Sequence, residues 1–208
     1  MTYLLHLLVF SLSLWLLFFG YSSWIKIARR LFYKKLSFRL SEEFSNDKLI
    51  LDVGSGTGFF AEMIKNKISG QIICLDLYDY NKNSAPFVIA DANHLPFSNG
   101  SFDTITLFYV LHHSDYPKNL LAEVCRVSRS RVIIHEDVYT NLFEKIMYQI
   151  HIWSFSQFYQ LSGKKVMTDN EWLKLFVDLN LKVVNRFSIK RLGYPVSRRE
   201  YILTLNNT

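Results

Sequence analysis

Short runs of branched apolar residues alternate with longer mixed segments through the middle of the chain. Five such runs have the length and composition of buried strands, and they lie near 49–53, 71–76, 87–89, 103–108 and 131–136. Between them, the segments near 58–67 and 116–127 have the composition of helices. Strands that alternate with helices in this way predict a doubly wound parallel sheet, an α/β fold.

The periodicity changes after the fifth predicted strand. Apolar residues recur with a helical period from Asn141 to Leu161, and a further helix is predicted from Asn170 to Leu179, with Thr168 or Asp169 as its N-cap. Two final strands are predicted over 181–192 and 200–205, joined through 194–197. The aromatic side chains of segment 139–165 either fill a core helix or form a lid over an apolar acceptor: Tyr139, Phe143, Tyr148, His151, Trp153, Phe155, Phe158 and Tyr159.

The first predicted strand ends in a glycine-rich turn. The apolar run contains Asp52 and then breaks into Gly54, Gly56 and Gly58 before a stretch that is compatible with a helix. A backbone can approach a ligand closely where no Cβ intervenes, and the N–H groups of a helix N-terminus point toward whatever binds there. The turn therefore predicts a nucleoside-type ligand at the carboxyl edge of the sheet.

Segments spanning about residues 47–138 resemble, in order and spacing, the class I S-adenosylmethionine (SAM)-dependent methyltransferases of the type-11 group. That group includes ubiquinone and menaquinone biosynthesis methyltransferases. The alternate glycines match its first motif, whereas dinucleotide dehydrogenases use G-x-G-x-x-G and Phe59 stands where the last glycine would be. The other matching segments are 72–76, which ends in Asp76, then 91–97 in the pattern D-A-x-x-L-P-F, 101–113 and 120–127.

The resemblance implies a seven-stranded sheet of order 3-2-1-4-5-7-6 with the last strand antiparallel, and SAM as the cofactor. It implies that Asp76 accepts hydrogen bonds from the ribose hydroxyls and that Asp91 meets the adenine amino group. The residues implied for cofactor binding are Asp52, Gly54, Ser55, Gly56, Gly58, Asp76, Leu77, Asp91, Ala92 and Tyr109. The chain departs from the family in the link 128–131, which has no Pro or Gly, so we expect a shorter or differently built turn there, away from the cofactor.

Methyl transfer from a sulfonium mainly requires alignment of the acceptor, and a base is needed only if the acceptor loses a proton. Candidate side chains follow the fourth and fifth strands, and we single out His112, His113 and Glu136. The two histidines could instead be structural, and Glu136 could cap a helix or pair with a basic side chain. Further candidates at these strand ends are Tyr109, Asp115, His135 and Asp137. No spacing suggests a metal site.

The N-terminus has a different composition from the rest of the chain. From Thr2 to Ile25 there is no Asp, Glu, Lys or Arg, and six basic residues fall within 24–40. This pattern predicts a membrane-spanning anchor over 1–25 and a basic juxtamembrane segment over 26–46. The methyltransferase domain, 47–208, would then be cytoplasmic. A cleaved signal peptide and a monotopic helix are the competing interpretations.

Charge is unevenly distributed along the chain. The net charge is +6, yet residues 41–181 hold 12 Lys or Arg against 17 Asp or Glu, and residues 182–199 add six basic side chains. The basic residues at the two ends have two explanations. They either follow from the positive-inside topology of the N-terminal segment and from a solvent-exposed terminal hairpin, or both ends lie against an anionic membrane. No basic and aromatic stripe indicates nucleic-acid binding.

Three classes of function are compatible with a glycine-rich α/β domain. The sequence favours a SAM-dependent methyltransferase that acts on a small-molecule or lipid-like acceptor at a membrane surface. A membrane-tethered SAM-binding scaffold without catalysis is the alternative. A short-chain dehydrogenase is disfavoured because its Y-x-x-x-K spacing occurs only at Tyr78 and Lys82, directly after the second strand.

Overall fold

The structure is a computed structural model that describes residues 30–31, 34–156, 167–189 and 196–205, with the side chains of 150–156 left out. A helix α1 over 34–43 precedes the sheet. The remaining elements are β1 (Leu49–Val53), α2 (Phe59–Ile64), β2 (Gln71–Asp76), β3 (Phe87–Ile89), β4 (Phe102–Phe108), α3 (Pro117–Val127), β5 (Ser128–Val138), α4 (Leu142–Ser156), α5 (Asp169–Asp178), β6 (Leu181–Ile189) and β7 (Ser197–Leu205), with a 3-10 turn at Leu111–His113.

The strands form one seven-stranded sheet in the order β3-β2-β1-β4-β5-β7-β6. Strands β1 to β5 pair in parallel, and β7 runs antiparallel to both of its neighbours, β5 and β6. The predicted doubly wound sheet, its strand order and its antiparallel last strand are confirmed. In parallel strands the carboxyl ends share one edge, so the residues after β1, β2 and β4 meet there.

Helices cover both faces of the sheet. Successive strand residues point to opposite faces, so Leu51 and Val53 pack in the core layer that also contains α3 and α5. Their neighbour Ile50 packs in the other layer, with α1 and α2. The central strands β1 and β4 are buried on both sides, which is why their sequences are rich in apolar residues.

Helix α1 belongs to this packed unit. Leu36, Leu40 and Phe44 recur at the spacing of one helix face and are buried against the sheet. Arg39 pairs with Glu200 of β7. At the other end of the helix, Arg131 near the amino end of β5 donates to the Glu43 carbonyl at 2.6 Å and pairs with Asp47 at 2.7 Å. Helix α1 therefore runs from the carboxyl edge of the sheet toward the amino edge.

Several boundaries differ from the sequence-based expectation. Helix α3 ends at Val127 and β5 begins at Ser128, so the link without Pro or Gly is built with no loop at all. Strand β7 begins at Ser197, three residues before its predicted start. The N-cap of α5 is Thr168, and it forms a capping box with Glu171.

The predicted membrane anchor, 1–25, and the end of the possible lid, 157–165, lie outside the described residues. Among the residues that are described, no helix combines the length and the apolar composition that crossing a membrane requires.

Candidate functional site

The glycine turn after β1 has the backbone shape that glycine permits. Gly54 and Gly56 have φ angles of 67° and 54°, in the left-handed region. A Cβ on Gly54 would lie 2.4 Å from Cγ2 of Val110, so the turn after β4 packs directly against this glycine. A Cβ on Gly56 would meet no atom within 4 Å, because Gly56 borders a cavity. Gly58 is the N-cap of α2.

The Asp76 carboxylate at the end of β2 is fixed by this turn. Its Oδ2 accepts the Gly56 N–H at 2.7 Å, and its Oδ1 accepts the Leu77 N–H at 2.8 Å. The carboxylate therefore borders the cavity in one orientation.

A cavity of about 740 Å³ lies above the carboxyl ends of the strands. This volume is within the usual range for sites that bind small molecules. Its lining includes Gly54, Gly56, Leu75, Asp76, Leu77, Tyr80, Ala90, Asp91, Ala92, Asn93, His94, Tyr109, Val110, His113, Ser114, Asp115, Tyr116, Asn119 and Leu120. The structure therefore brings most of the predicted cofactor residues together around one space.

The loop after β3 presents Asp91 and Ala92 to this cavity. Oδ1 of Asp91 accepts hydrogen bonds from the backbone N–H and the side-chain amide of Asn93, both at 2.9 Å. The Asn93 backbone N–H contributes most to holding the pKa of Asp91 below its usual value. Asp91 is thus an ionised acceptor at the cavity wall.

Asp52 and Ser55 line a second, smaller cavity of about 110 Å³ beside the glycine turn, walled by Phe60 and Phe108 among others. Oδ1 of Asp52 accepts a hydrogen bond from the Thr106 hydroxyl at 2.7 Å. Burial raises the pKa of Asp52 to about 7, the hydrogen bond lowers it and the charge of Asp76 raises it. Asp52 is therefore poised between its neutral and ionised forms near neutral pH.

The three predicted catalytic side chains have different environments. Glu136 is fully buried under the turn after β4, where it accepts hydrogen bonds from the Val110 and Leu111 N–H groups at 3.0 and 2.7 Å. His112 is also buried, with its Nδ1 2.6 Å from Glu136. Burial lowers the pKa of His112, but the charge and hydrogen bond of Glu136, together with the charge of Asp137, outweigh it, so the net pKa lies above its ordinary value. His113 lines the large cavity.

The remaining polar residues at the end of β5 pair with β7. Asp137 forms a buried ion pair with Arg198 at 2.8 Å, and the Arg198 guanidinium lies 4.8 Å from the centre of the Tyr109 ring. His135 contacts Glu200, which also pairs with Arg39. Burial holds the pKa of His135 below its usual value although Glu200 acts in the opposite direction.

Sequence reasoning missed the contribution of β7 to this region. The sequence pattern places Glu200 in a terminal strand and Arg198 only among the basic residues of 182–199, although a charged residue at the start of an apolar strand can signal a buried partner. It also missed Val110, whose contact with Gly54 depends on the packing of two turns.

Comparisons with known proteins agree with this geometry. Residues 51–134 match the family profile described as "Methyltransferase domain", type 11. The chain is similar to a demethylmenaquinone methyltransferase of Renibacterium salmoninarum, 33% identical over 38% of this chain and 36% of that protein. It is also similar to the ubiquinone/menaquinone biosynthesis C-methyltransferase UbiE of Pseudomonas putida, 26% identical over 67% of this chain and 60% of that protein.

Residues 51–134 thus match a methyltransferase domain of the class I, SAM-dependent type. The cofactor of such a domain is S-adenosylmethionine. A SAM-dependent methyltransferase from Archaeoglobus fulgidus shares the fold, with a TM-score of 0.64 and 16% identity over 83% of this chain and 94% of that one. The chain spans between about a third and 60% of the length of the curated relatives it matches.

Proposed function

We propose that the protein transfers a methyl group from SAM to a small, apolar acceptor. One juxtaposition carries the proposal: the Gly56 N–H joins the glycine turn to the Asp76 carboxylate, and both border the same cavity. A turn without side chains admits a close ligand, and a carboxylate at the end of the second strand suits ribose hydroxyls. Together they suit the nucleoside of SAM.

The residues around the two cavities fit the parts of this cofactor. Asp76 would hold the ribose, and the loop of Asp91 and Ala92 would line the adenine. Asp52, when ionised, would offer a negative charge to the ammonium group of the amino-acid end. SAM supplies a methyl group that is already activated for displacement, so the protein mainly has to align the acceptor and exclude water.

Two cavity side chains can take a proton if the acceptor must lose one. His113 and Asp115 both line the large cavity. In contrast, Glu136 and His112 are buried beneath its wall. Of the three predicted catalytic residues, we therefore assign the base role, where one is required, to His113 rather than to His112 or Glu136.

The acceptor that we propose is a quinone-related or otherwise lipid-like molecule. Two relatives are named for demethylmenaquinone and for ubiquinone and menaquinone biosynthesis. Large apolar side chains that line the cavity are also exposed, which suits an apolar substrate: Leu77, Tyr80 and Tyr116.

We further propose that the domain works at the cytoplasmic surface of a membrane, on a single N-terminal span. Support comes from the uncharged run 2–25 and the basic residues after it. Helix α1 begins toward the carboxyl edge of the sheet, which is the edge that bears the cavity. Beside its exposed Lys34 and Lys35, Leu31 and Phe38 are 62% and 69% exposed.

Calorimetric titration with SAM, followed by a methyl-release assay with a demethylated quinol, tests the proposed activity. Asp76→Ala should weaken SAM binding at least tenfold, which corresponds to about 1.4 kcal/mol. Asp79→Ala is the matched control, because Asp79 is an exposed acid three residues further on. Equal affinities in the two folded variants would contradict the cofactor assignment, and SAM binding without methyl transfer to the acceptor would favour the scaffold alternative.

A further inference from the structure

Both carboxylate oxygens of Glu136 form hydrogen bonds with one short turn. Oε1 accepts the Val110 N–H at 3.0 Å and the Leu111 N–H at 2.7 Å, and Oε2 lies 2.6 Å from Nδ1 of His112. The side chain has no exposed surface. A carboxylate that receives three donors in a buried site is a fixed structural acceptor, and removing it leaves those donors without a partner.

The turn that Glu136 holds forms part of the cofactor cavity. Val110 packs against Gly54 so closely that a Cβ on the glycine would lie 2.4 Å from Cγ2 of the valine. The His113 N–H donates to the Val110 carbonyl at 3.0 Å, and the His113 side chain lines the large cavity. The position of two wall residues therefore depends on the peptide groups that Glu136 binds.

His112 links this hydrogen-bonded turn to α4. Its ring centre lies 5.7 Å from that of the buried Tyr148 and 4.0 Å from that of His113. The ionisable groups that act on His112 are Glu136 and, at longer range, Asp137 and Arg198. The imidazole thus sits between a strand end, a cavity wall and the helix that follows β5.

We infer that Glu136 is a positioning residue, which orders residues 110–113 against the cofactor turn and so places His113 in the cavity without itself meeting the acceptor. The inference rests on the proposed function in taking this cavity as the SAM site. Its place near the carboxyl end of β5 does not by itself suggest this role, since an acid at the end of such a strand is equally a candidate base.

Three variants test the inference in calorimetric titrations with SAM and with S-adenosylhomocysteine. Glu136→Leu keeps a similar side-chain volume but removes the oxygen atoms that accept the three hydrogen bonds. It should weaken the binding of both ligands at least tenfold. Glu136→Gln keeps a carbonyl oxygen for the two N–H groups and should bind both ligands within about threefold of the wild type. Asp47→Asn is the matched control: it alters a buried carboxylate that pairs with Arg131 near the amino edge, so it should change stability without changing either affinity.

Two measurements on the wild-type chain remain informative even if Glu136→Leu fails to fold. The amides of Val110 and Leu111 should exchange with deuterium as slowly as amides inside β4. The His112 imidazole, followed by NMR, should keep its proton to a pH above the ordinary histidine range, and in Glu136→Gln its pKa should fall. A purely catalytic Glu136 predicts neither slow exchange in the turn nor a loss of SAM affinity in the leucine variant.

The inference is overturned if folded Glu136→Leu binds SAM as the wild type does, or if the Val110 and Leu111 amides exchange at the rate of an unprotected loop. A failure of the proposed function gives a different result. In that case the wild-type chain itself fails to bind SAM, whereas amide exchange and the His112 titration still report on the turn.

Discussion

The buried carboxyl group of Asp52 lowers stability when it is ionised, and it is also a candidate for binding SAM. It is 2% exposed, and burial raises its pKa from 3.8 to about 7. A carboxyl group with a raised pKa binds its proton more tightly in the folded state than in the unfolded state. Its contribution to stability is therefore full below about pH 4 and is lost as pH rises toward 7.

We predict that Asp52→Asn increases stability and decreases SAM affinity. The free energy of unfolding of the variant should match that of the wild type near pH 4 and exceed it above pH 7 by up to about 4 kcal/mol, since each pKa unit corresponds to 1.36 kcal/mol. Wild-type affinity for the cationic SAM should rise as Asp52 ionises, and this rise should vanish in the variant. Urea unfolding and calorimetry at pH 5 and pH 8 measure both effects, and a variant with lower stability at pH 8 would contradict the prediction.

Gly54 and Gly56 have similar φ angles but different surroundings, so alanine at each should have a different effect. Gly54→Ala combines left-handed strain with a clash against Val110 and should cost about 3 kcal/mol of stability. Gly56→Ala meets no atom within 4 Å and should cost about 1 kcal/mol, while its methyl group enters the cavity and weakens SAM binding at least tenfold. Thermal unfolding and SAM titration of both variants test this prediction. Equal losses of stability and of SAM affinity in the two variants would refute the packing argument.

At the scale of elements, helix α4 presents two distinct sides. Tyr148 is fully buried next to His112, whereas Leu142, Phe143 and Ile146 are exposed, Phe143 by 63%. The buried side of α4 agrees with the expectation of a core helix, and the exposed side is compatible with the expectation of a lid. The aromatic residues Trp153 and Tyr159 lie outside the described side chains.

We predict that substitutions on the two sides of α4 have different effects on stability. Tyr148→Ala should lower the free energy of unfolding by about 3–5 kcal/mol, because it deletes a large buried ring. Phe143→Ala should change stability by less than about 0.5 kcal/mol, as expected at an exposed position. If the exposed side contacts the acceptor, Phe143→Ala should raise the acceptor KM and leave SAM affinity unchanged, whereas an unchanged KM would remove the lid from consideration.

The strands could be predicted from sequence, while the partners of their polar ends could not. Strand β1 is recognisable because both of its faces are buried and its residues are almost all apolar. His135 and Asp137 looked like site residues because polar side chains followed an apolar run. The structure pairs them with Glu200 and Arg198, 65 and 61 residues away, and local periodicity carries no information about such distant contacts.

At the scale of the whole molecule, helix α1 brings the N-terminal basic residues beside the C-terminal strands. The Arg39 guanidinium lies 4.9 Å from the centre of the Phe187 ring of β6 and pairs with Glu200 of β7. Arg39, Arg186, Arg198 and Arg199 each pair with an acidic side chain within the fold. Lys34 and Lys35 are exposed on α1, so they are the cations that this helix can offer to an anionic surface, where each adds about 1 kcal/mol.

Truncation from the N-terminus should separate membrane attachment from folding. Removing residues 1–33 deletes the uncharged run and the basic residues Lys26, Arg29 and Arg30 but leaves the helix over 34–43, so we expect a folded, SAM-binding protein that is released from membranes. Removing residues 1–44 also deletes Leu36, Leu40 and Phe44, whose burial contributes about 1.5–3 kcal/mol each. That loss is comparable to the total stability of a domain, 5–15 kcal/mol, so the shorter chain should not fold.

Vesicle sedimentation completes this prediction. The chain that begins at residue 34 should retain weak, salt-sensitive binding to anionic vesicles through its exposed Lys34 and Lys35, and replacing both lysines with glutamine should abolish it. Vesicles of neutral lipid, which lack the opposite charge, should bind neither form. Stable folding of the chain without residues 1–44 would show that α1 is dispensable, and strong membrane retention of the chain without residues 1–33 would place the main attachment elsewhere than in the N-terminal run.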